Sequence, residues 1–235
     1  MANPILSALR TEAQQYADAE NDPHKSTAEW TTWLNAAGAE LYDLLVSTFE
    51  DWYVDVVSSL TPSASTGVLT PGVEILKIRA LEKNVGGSDW MRVLQTSGPE
   101  RPQYRAIIGP VLSGHAADCV YDLQGQTIYI LPSSSWSGTF RIWYVPTYTP
   151  MSADGDYLFG SASGKLVPNQ WHQYVTLGAA IRARMKEEGN INELAGMQAQ
   201  VRDRIQSAAR DRKGPGGRMR DVATHRDNPR RRWRR

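Results

Sequence analysis

Cysteine is nearly absent from this chain. Cys119 stands alone, so no disulfide framework can form within it, and nothing argues for an oxidising compartment. Long apolar runs are missing too: no stretch approaches the roughly 18 consecutive apolar residues of a membrane span. The first twenty residues lack a basic head followed by an apolar run, so they do not read as a signal peptide. A soluble chain that folds in a reducing cytosol, with no membrane contact, is the expectation. Histidine is scarce. His24, His115, His172 and His225 lie outside metal-ligand spacing of one another and of Cys119, so a zinc site is not expected. Each reads as a surface or helix-face residue. Cys119 falls in a strand pattern and reads as a small apolar side chain.

Catalytic signatures are missing as well. Residues 160–165, GSASGK, look like a phosphate loop at a glance. The spacing between Gly160 and Gly164 is one residue short, Leu166 stands where a magnesium-holding hydroxyl would follow Lys165, and no apolar strand leads in. Glu187 and Glu188 are adjacent, and neighbours on a helix point about 100° apart, so they read as a solvated helix end rather than a proton-sharing pair. No nucleophile elbow, His-Glu-x-x-His or dinucleotide fingerprint occurs. Neither an enzyme nor a cofactor is implied.

What is present is enough apolar material for a core: 41% of residues are hydrophobic, with eight Trp and ten Tyr. One domain with an insertion, or one domain and a small second one, fits the length. The formal net charge of +1 hides an asymmetry. Residues 210–235 hold 11 of the basic residues against three aspartates, which leaves the remaining 209 residues with a net charge of −7. An acidic body with a basic tail suggests an interaction arm.

Helical periodicity opens the chain. Asn3 is placed to cap a helix whose first position is Pro4, and Ile5, Leu6, Leu9, Ala13 and Tyr16 form its stripe. Asn21-Asp22-Pro23 ends it. Ser26 to Glu29 reads as a capping box. The pattern it opens continues through Trp30, Leu34, Leu41, Leu45, Trp52 and Val56, with Gly38 as a possible bend, and ends before Pro62. Residues 61–72 are a Pro/Gly linker. Short strands follow at 73–79, 90–94, 119–123, 127–131 and 139–145, with turns at Gly86-Gly87, Gln124-Gly125 and Ser137-Gly138. Tyr129, Trp143 and Tyr144 read as core of this part.

Residues 168–213 return to helical spacing as two helices joined at Gly189-Asn190. The first sets Trp171, Tyr174, Gly178, Ile181 and Met185 on one face; the second sets Ile191, Leu194, Met197, Val201, Ile205 and Ala208 on one face. The expected fold is α+β: a helical bundle carrying a small antiparallel β-sheet or barrel insertion and an extended basic C-terminal arm. The boundaries are 1–60 for the N-terminal helices, 61–72 for the linker and 73–150 for the β insertion. They continue with 151–167 for a loop, 168–213 for the helix pair and 214–235 for the arm.

The arm carries Arg218, Arg220, Arg226, Arg230, Arg231, Arg232, Arg234 and Arg235, with Trp233 among them. Arginine pairs bidentately with carboxylates and phosphates, and tryptophan is enriched at binding hot spots. Two occupants fit: an acidic protein groove, or nucleic-acid phosphates. Trp136, in the polar loop 133–137, is a second candidate contact.

Two segments carry a family resemblance. One is Ile128-Tyr129-Ile130-Leu131-Pro132 followed by Gly138-Thr139-Phe140-Arg141-Ile142-Trp143-Tyr144-Val145-Pro146. The other is Trp171-His172-Gln173-Tyr174-Val175, then Gly178-Ala179-Ala180-Ile181, then Lys186-Glu187-Glu188-Gly189-Asn190. In their order and spacing they resemble the head-to-tail connector, or adaptor, proteins of tailed bacteriophages, over roughly residues 30–213. The resemblance implies a structural virion protein, assembled in the host cytoplasm and placed at the head-to-tail interface. Such adaptors form a homo-oligomeric ring, usually a dodecamer, beneath the portal protein. They meet tail or nozzle proteins on the other side, and DNA passes through the lumen without specific binding. Their C-terminal segment docks on the portal, which here points to Arg218 through Arg235, while Trp136 would face the tail. The alternative from another class is a nucleic-acid-binding protein gripping phosphates with the arginine tail.

Overall fold

A computed structural model describes residues 3–20, 22–49, 53–96, 119–131, 138–160, 167 and 170–212. Along the described chain run helices α1 (Leu6–Ala17) and α2 (Thr27–Thr48), and strands β1 (Asp55–Leu60), β2 (Val68–Leu69), β3 (Ile75–Gly86), β4 (Asp89–Gln95), β5 (Val120–Gln124), β6 (Thr127–Leu131) and β7 (Phe140–Pro146). A 3-10 turn at Leu158–Gly160 and helices α3 (Gln173–Lys186) and α4 (Asn192–Arg212) complete them. The class is α+β, with four helices and a seven-stranded curled sheet among the described residues.

The capping box forms as the sequence implies. Ser26 is extended, its Oγ accepts the Glu29 N–H at 3.3 Å, and Glu29 Oε2 accepts the Ser26 N–H at 2.9 Å. Asn3 does something else. Ile5 stands at the N-cap of α1 without a side-chain cap. Asn3 Nδ2 instead donates to the Leu158 carbonyl at 3.0 Å, and its Oδ1 accepts the Val167 N–H at 2.8 Å. The orphan N–H groups of Leu6 and Ser7 go to the carbonyls of Asp156 and Asp154. The loop before α3, rather than a local side chain, caps α1.

Helix α2 stops at Thr48, and residues 55–60 form a strand where helical spacing continued through Val56. The β-branched Val56 and Val57 suit a pleated surface better than a helix. Helix α2 runs without a break through Gly38. That glycine faces Tyr148, whose hydroxyl would collide with any Cβ placed there.

Helix α3 is central and touches α1, α2 and α4. Its expected face is only partly right. Trp171 and Gly178 are buried, but Met185 is 59% exposed and Tyr174 and Ile181 are half-buried. The buried set is Val175, Thr176, Leu177, Gly178, Ala179, Ala180 and Ala183. A helix hemmed in on three sides buries small residues, because large ones would hold its neighbours apart. In α4, Val201, Ile205 and Ala209 are buried, while Met197 is 37% exposed.

The strand order is β1-β7-β3-β4-β5-β6-β2. The pairs are antiparallel except β4–β5, which is parallel through Leu94↔Val120 and Gln95↔Tyr121. The sheet is therefore mixed, which corrects the antiparallel sheet or barrel expected from the strand spacing. The chain between Thr96 and Cys119 is long enough for the crossover a parallel pair needs. The linker also holds a strand: Val68 and Leu69 pair with Tyr129 and Ile128. Leu69, Leu81, Val93, Ile128, Phe140 and Ile142 fill one interior, with Val57 and Leu60 of β1 packed on it. Both edge strands reach that interior and are joined by residues 61–67 alone, so the sheet curls round its own core. Cys119 is buried there as a small side chain. Tyr144 is buried as expected, whereas Tyr129 and Trp143 are half-buried.

Sheet and helices join at one end. Val145 of β7 belongs to the helical core, and the Tyr42 hydroxyl of α2 donates to the Pro146 carbonyl at 2.7 Å. Tyr42, Tyr53, Tyr148 and Phe159 meet edge to face across this joint. Phe49, at the end of α2, stacks on Trp171 ahead of α3 with centroids 5.5 Å apart. Gln198 of α4 donates to the Tyr174 carbonyl of α3, so the two helices run antiparallel. The C-terminal end of α4 thus lies at the end of the helical layer where the sheet attaches.

Candidate interaction surface

The arm residues Arg218, Arg220, Arg226, Arg230, Arg231, Arg232, Trp233, Arg234 and Arg235 lie outside the described residues, as does Trp136. The structure gives the root of the arm, at Arg212. Residues 161–166 of the glycine loop, His115 and His225 also lie outside. His24 is exposed, and His172 Nε2 sits 3.7 Å from Glu12 Oε2 just before α3. Among the described residues no group of three or more His, Cys, Asp or Glu is arranged to hold a metal ion. No described helix is long and apolar enough to cross a membrane.

The sheet carries a surface that the sequence reading passed over. Strand alternation sends Phe140, Ile142, Leu81 and Val93 inward. Their neighbours Arg141, Trp143, Glu82 and Arg92 therefore share the outer face. Glu82 lies opposite both Arg141 on β7 and Arg92 on β4. Its Oε2 accepts Trp143 Nε1–H at 2.8 Å and pairs with Arg141 Nε. The Arg141 guanidinium stands over the Trp90 ring, 4.3 Å from its centroid, and 5.5 Å from that of Trp143. Partial burial pushes Glu82 upward, but the hydrogen bonds from Trp143 and Arg141 and the charges of Arg141 and Arg92 outweigh it and hold the carboxyl below its usual value. Beside this cluster Val54, Arg79, Ala80, Glu82 and Trp143 line an open concavity of about 390 Å³. Val56, Val85 and Leu94 are exposed aliphatic residues of the same strands.

This arrangement suits contact rather than chemistry. Glu82 is held ionised by its partners and arginine does not titrate in proteins, so the charges of the cluster are fixed near neutrality. Tryptophan and arginine are residues enriched at protein interfaces. The alternation Phe140-Arg141-Ile142-Trp143 carried the signal: a tryptophan in step with an arginine, out of step with the core residues.

The opposite end of the helical layer is acidic. Lys25 is buried between Asp22 and Glu187 and pairs with both. Burial works to lower its pKa, but the two carboxylates outweigh that and hold it raised. Asp22 is pulled down to about 2, first by the hydrogen bond from Lys25 and then by the His24 N–H. Arg184 lies 3.9 Å from Asp18, and Lys186 pairs with Glu29 at 2.5 Å. Glu20 and Glu188 are exposed beside them. Glu187 and Glu188 thus end a solvated helix, with one of them engaged by Lys25.

A family model described as SU10 adaptor protein matches residues 5–227, which takes in both helical segments, the sheet and the first part of the arm. No curated protein matches the chain. The chain belongs to the SU10 adaptor protein family, a phage head-to-tail adaptor family, and is a structural component of the phage particle. Membership implies a non-enzymatic role and interaction with portal and tail proteins in general.

Proposed function

We propose that this adaptor forms a ring, in the manner of a dodecamer, between the portal of a phage capsid and the tail, and that DNA passes through its lumen. The observation that carries the reading is the family match across 5–227, since it spans nearly the whole chain rather than one module. An acidic body supports it, because a strongly basic lumen would hold DNA by its phosphates.

In this reading residues 214–235 dock on the portal, with Arg218, Arg220, Arg226 and the Arg230 to Arg235 cluster around Trp233 supplying the contacts. The helices of 1–60 and 168–213 form the body, and the insertion 73–150, with Trp136, meets tail or nozzle proteins. The reach of the arm is compatible with this. Its root lies at the sheet end of the helical layer. Residues 213–235, extended at roughly 3.3 Å per residue, span about 75 Å. Helix α4, with 21 residues, is about 31 Å long. The arm can therefore reach well beyond the helical layer. A segment that orders on docking covers a large surface, and repeated copies round a ring offset its ordering entropy through avidity.

The test is to mix the full chain with the portal of the same phage and image the product. A ring seated on the portal is expected, and its loss on deleting 214–235 would assign the arm. Failure of the full chain to seat on the portal sinks the reading. The family match stops at residue 227, ahead of the Arg230 to Arg235 cluster, which favours a second reading for that terminal piece alone: contact with DNA phosphates. Deleting 228–235 would then leave portal docking intact and flatten the salt dependence of duplex DNA binding.

A further inference from the structure

We infer that the outer face of the curled sheet and the acidic end of the helical layer are the two halves of a contact between neighbouring copies of this chain. The inference rests on the ring reading above and adds the surfaces that close the ring.

The sheet face has two residue types enriched at interfaces. The Arg141 guanidinium lies over the Trp90 ring and near that of Trp143, Leu94 is 45% exposed and Val56 is 48% exposed. Where β7 enters the helical layer, Val145 belongs to the helical core, whereas Arg141 and Trp143 are half-exposed. The sign of the face is positive: Arg92 and Arg141 stand against the carboxylate of Glu82. At the far end of the molecule the sign reverses. There Asp18, Asp22, Glu187 and Glu188 outnumber Lys25 and Arg184.

Two unlike patches of opposite charge on one chain make a heterologous contact, and a heterologous contact that closes makes a ring. A two-fold contact would press the positive face onto its own copy, with like charges opposed. Nucleic acid is a poorer occupant, because the arginines are interleaved with exposed aliphatic side chains and Arg141 is already committed to Glu82. The basic arm is repelled by the same charges.

The contact is tested with full-length protein by sedimentation, on and off the portal. Arg92→Glu and Glu188→Lys alter exposed side chains, and circular dichroism verifies that each variant folds. Each single reversal is expected to raise the assembly midpoint about tenfold, and the double variant, with both signs exchanged, to regain assembly. Deleting 214–235 leaves copy-to-copy assembly in place. The inference is overturned if either single variant assembles like the parent, if the double variant is no better than the singles, if only deletion of the arm abolishes assembly, or if the parent never self-associates. A parent ring on the portal that Arg92→Glu leaves unchanged removes this inference and keeps the ring reading. Self-assembly through these patches without portal binding does the reverse.

Discussion

The helical layer and the curled sheet bury their side chains by different means. In the helices the central element, α3, is enclosed by α1, α2 and α4 and lined with Ala179, Ala180, Ala183 and Gly178, so backbones approach closely and little of α3 is left over. In the sheet one face is spent on an interior round Leu81, Phe140 and Ile142, and the other carries Trp90, Arg141 and Trp143 outward. Close-packed burial and a half-exposed outer face are thus divided between regions that share a joint at Val145 and Tyr42.

The hardest blow to that division is to empty each core in turn. Trp30 is 1% exposed in the helical layer and Phe140 is 0% exposed in the sheet. Trp30→Ala and Phe140→Ala are each expected to cost about 3–5 kcal/mol. Because β7 passes from one core into the other, both variants should lower a single cooperative transition in urea. Two separated transitions would show that the regions fold independently, and the joint would then be a contact rather than a continuation of the core.

Close packing is sharpened by a pair of glycines. A Cβ on Gly178 would come within 2.9 Å of Ala37 Cβ and 2.8 Å of Gln198 Nε2, whereas Gly196 on α4 has nothing within 4 Å. Gly178→Ala should destabilise by about 1–3 kcal/mol, through overpacking between α2, α3 and α4. Gly196→Ala should stabilise by about 0.5–1 kcal/mol, through helix propensity alone. Thermal melts that moved the same way for both would mean that α3 tolerates more room than its neighbours suggest.

What could be read from the sequence was local. The capping box needs only Ser26 and Glu29, and the hairpin at Gly125, with φ of 60°, needs only its own turn residues. What was missed depends on distant partners. Val68 and Leu69 are a strand because β6 lies beside them, inside a stretch that has linker composition. The end of α2 was misplaced because Trp52 and Val56 continue a three-and-four spacing, although Val56 and Val57 belong to a strand paired with β7. The spacing points to the largest apolar residues as the face of α3, yet its three neighbours bury mostly small ones, with Val175 and Leu177 beside them, and Met185 is turned out. Asn3 has the right identity for a cap, but a loop some 155 residues away in sequence takes its side chain. The outer sheet surface was hidden for a related reason: tryptophan in a strand reads as core unless its arginine neighbour in the same phase is weighed with it.

A smaller change tests whether the helical layer relies on its ends as well as its packing. Ser26→Ala removes the acceptor for the Glu29 N–H and should cost about 1 kcal/mol. The sheet is untouched by this change, so the outer tryptophans should keep their fluorescence maximum at temperatures below the transition. A shift in that maximum in the native state would show that α2 sets the sheet surface, against the division drawn here.

The smallest effect expected is an acid one. Asp22 is held at about 2, first by Lys25, and Glu29 is held below its usual value, first by Lys186. A carboxylate whose folded pKa is depressed stabilises the fold above its unfolded pKa and loses that contribution as pH falls through the folded value. The helical layer should therefore weaken between about pH 4 and about pH 2. Glu82 is also lowered, by its hydrogen bonds to Trp143 and Arg141, so acid acts on the sheet at the same time. Lys25→Met separates the two. It removes the partner of Asp22 and Glu187 and leaves Glu82 alone. The melting temperature should then fall less steeply with acid than in the parent, by the share that Asp22 supplies. An identical slope in both proteins would place the acid sensitivity in the remaining lowered carboxylates, Glu29 and Glu82 among them, and the buried lysine would hold the loop between α1 and α2 by packing alone.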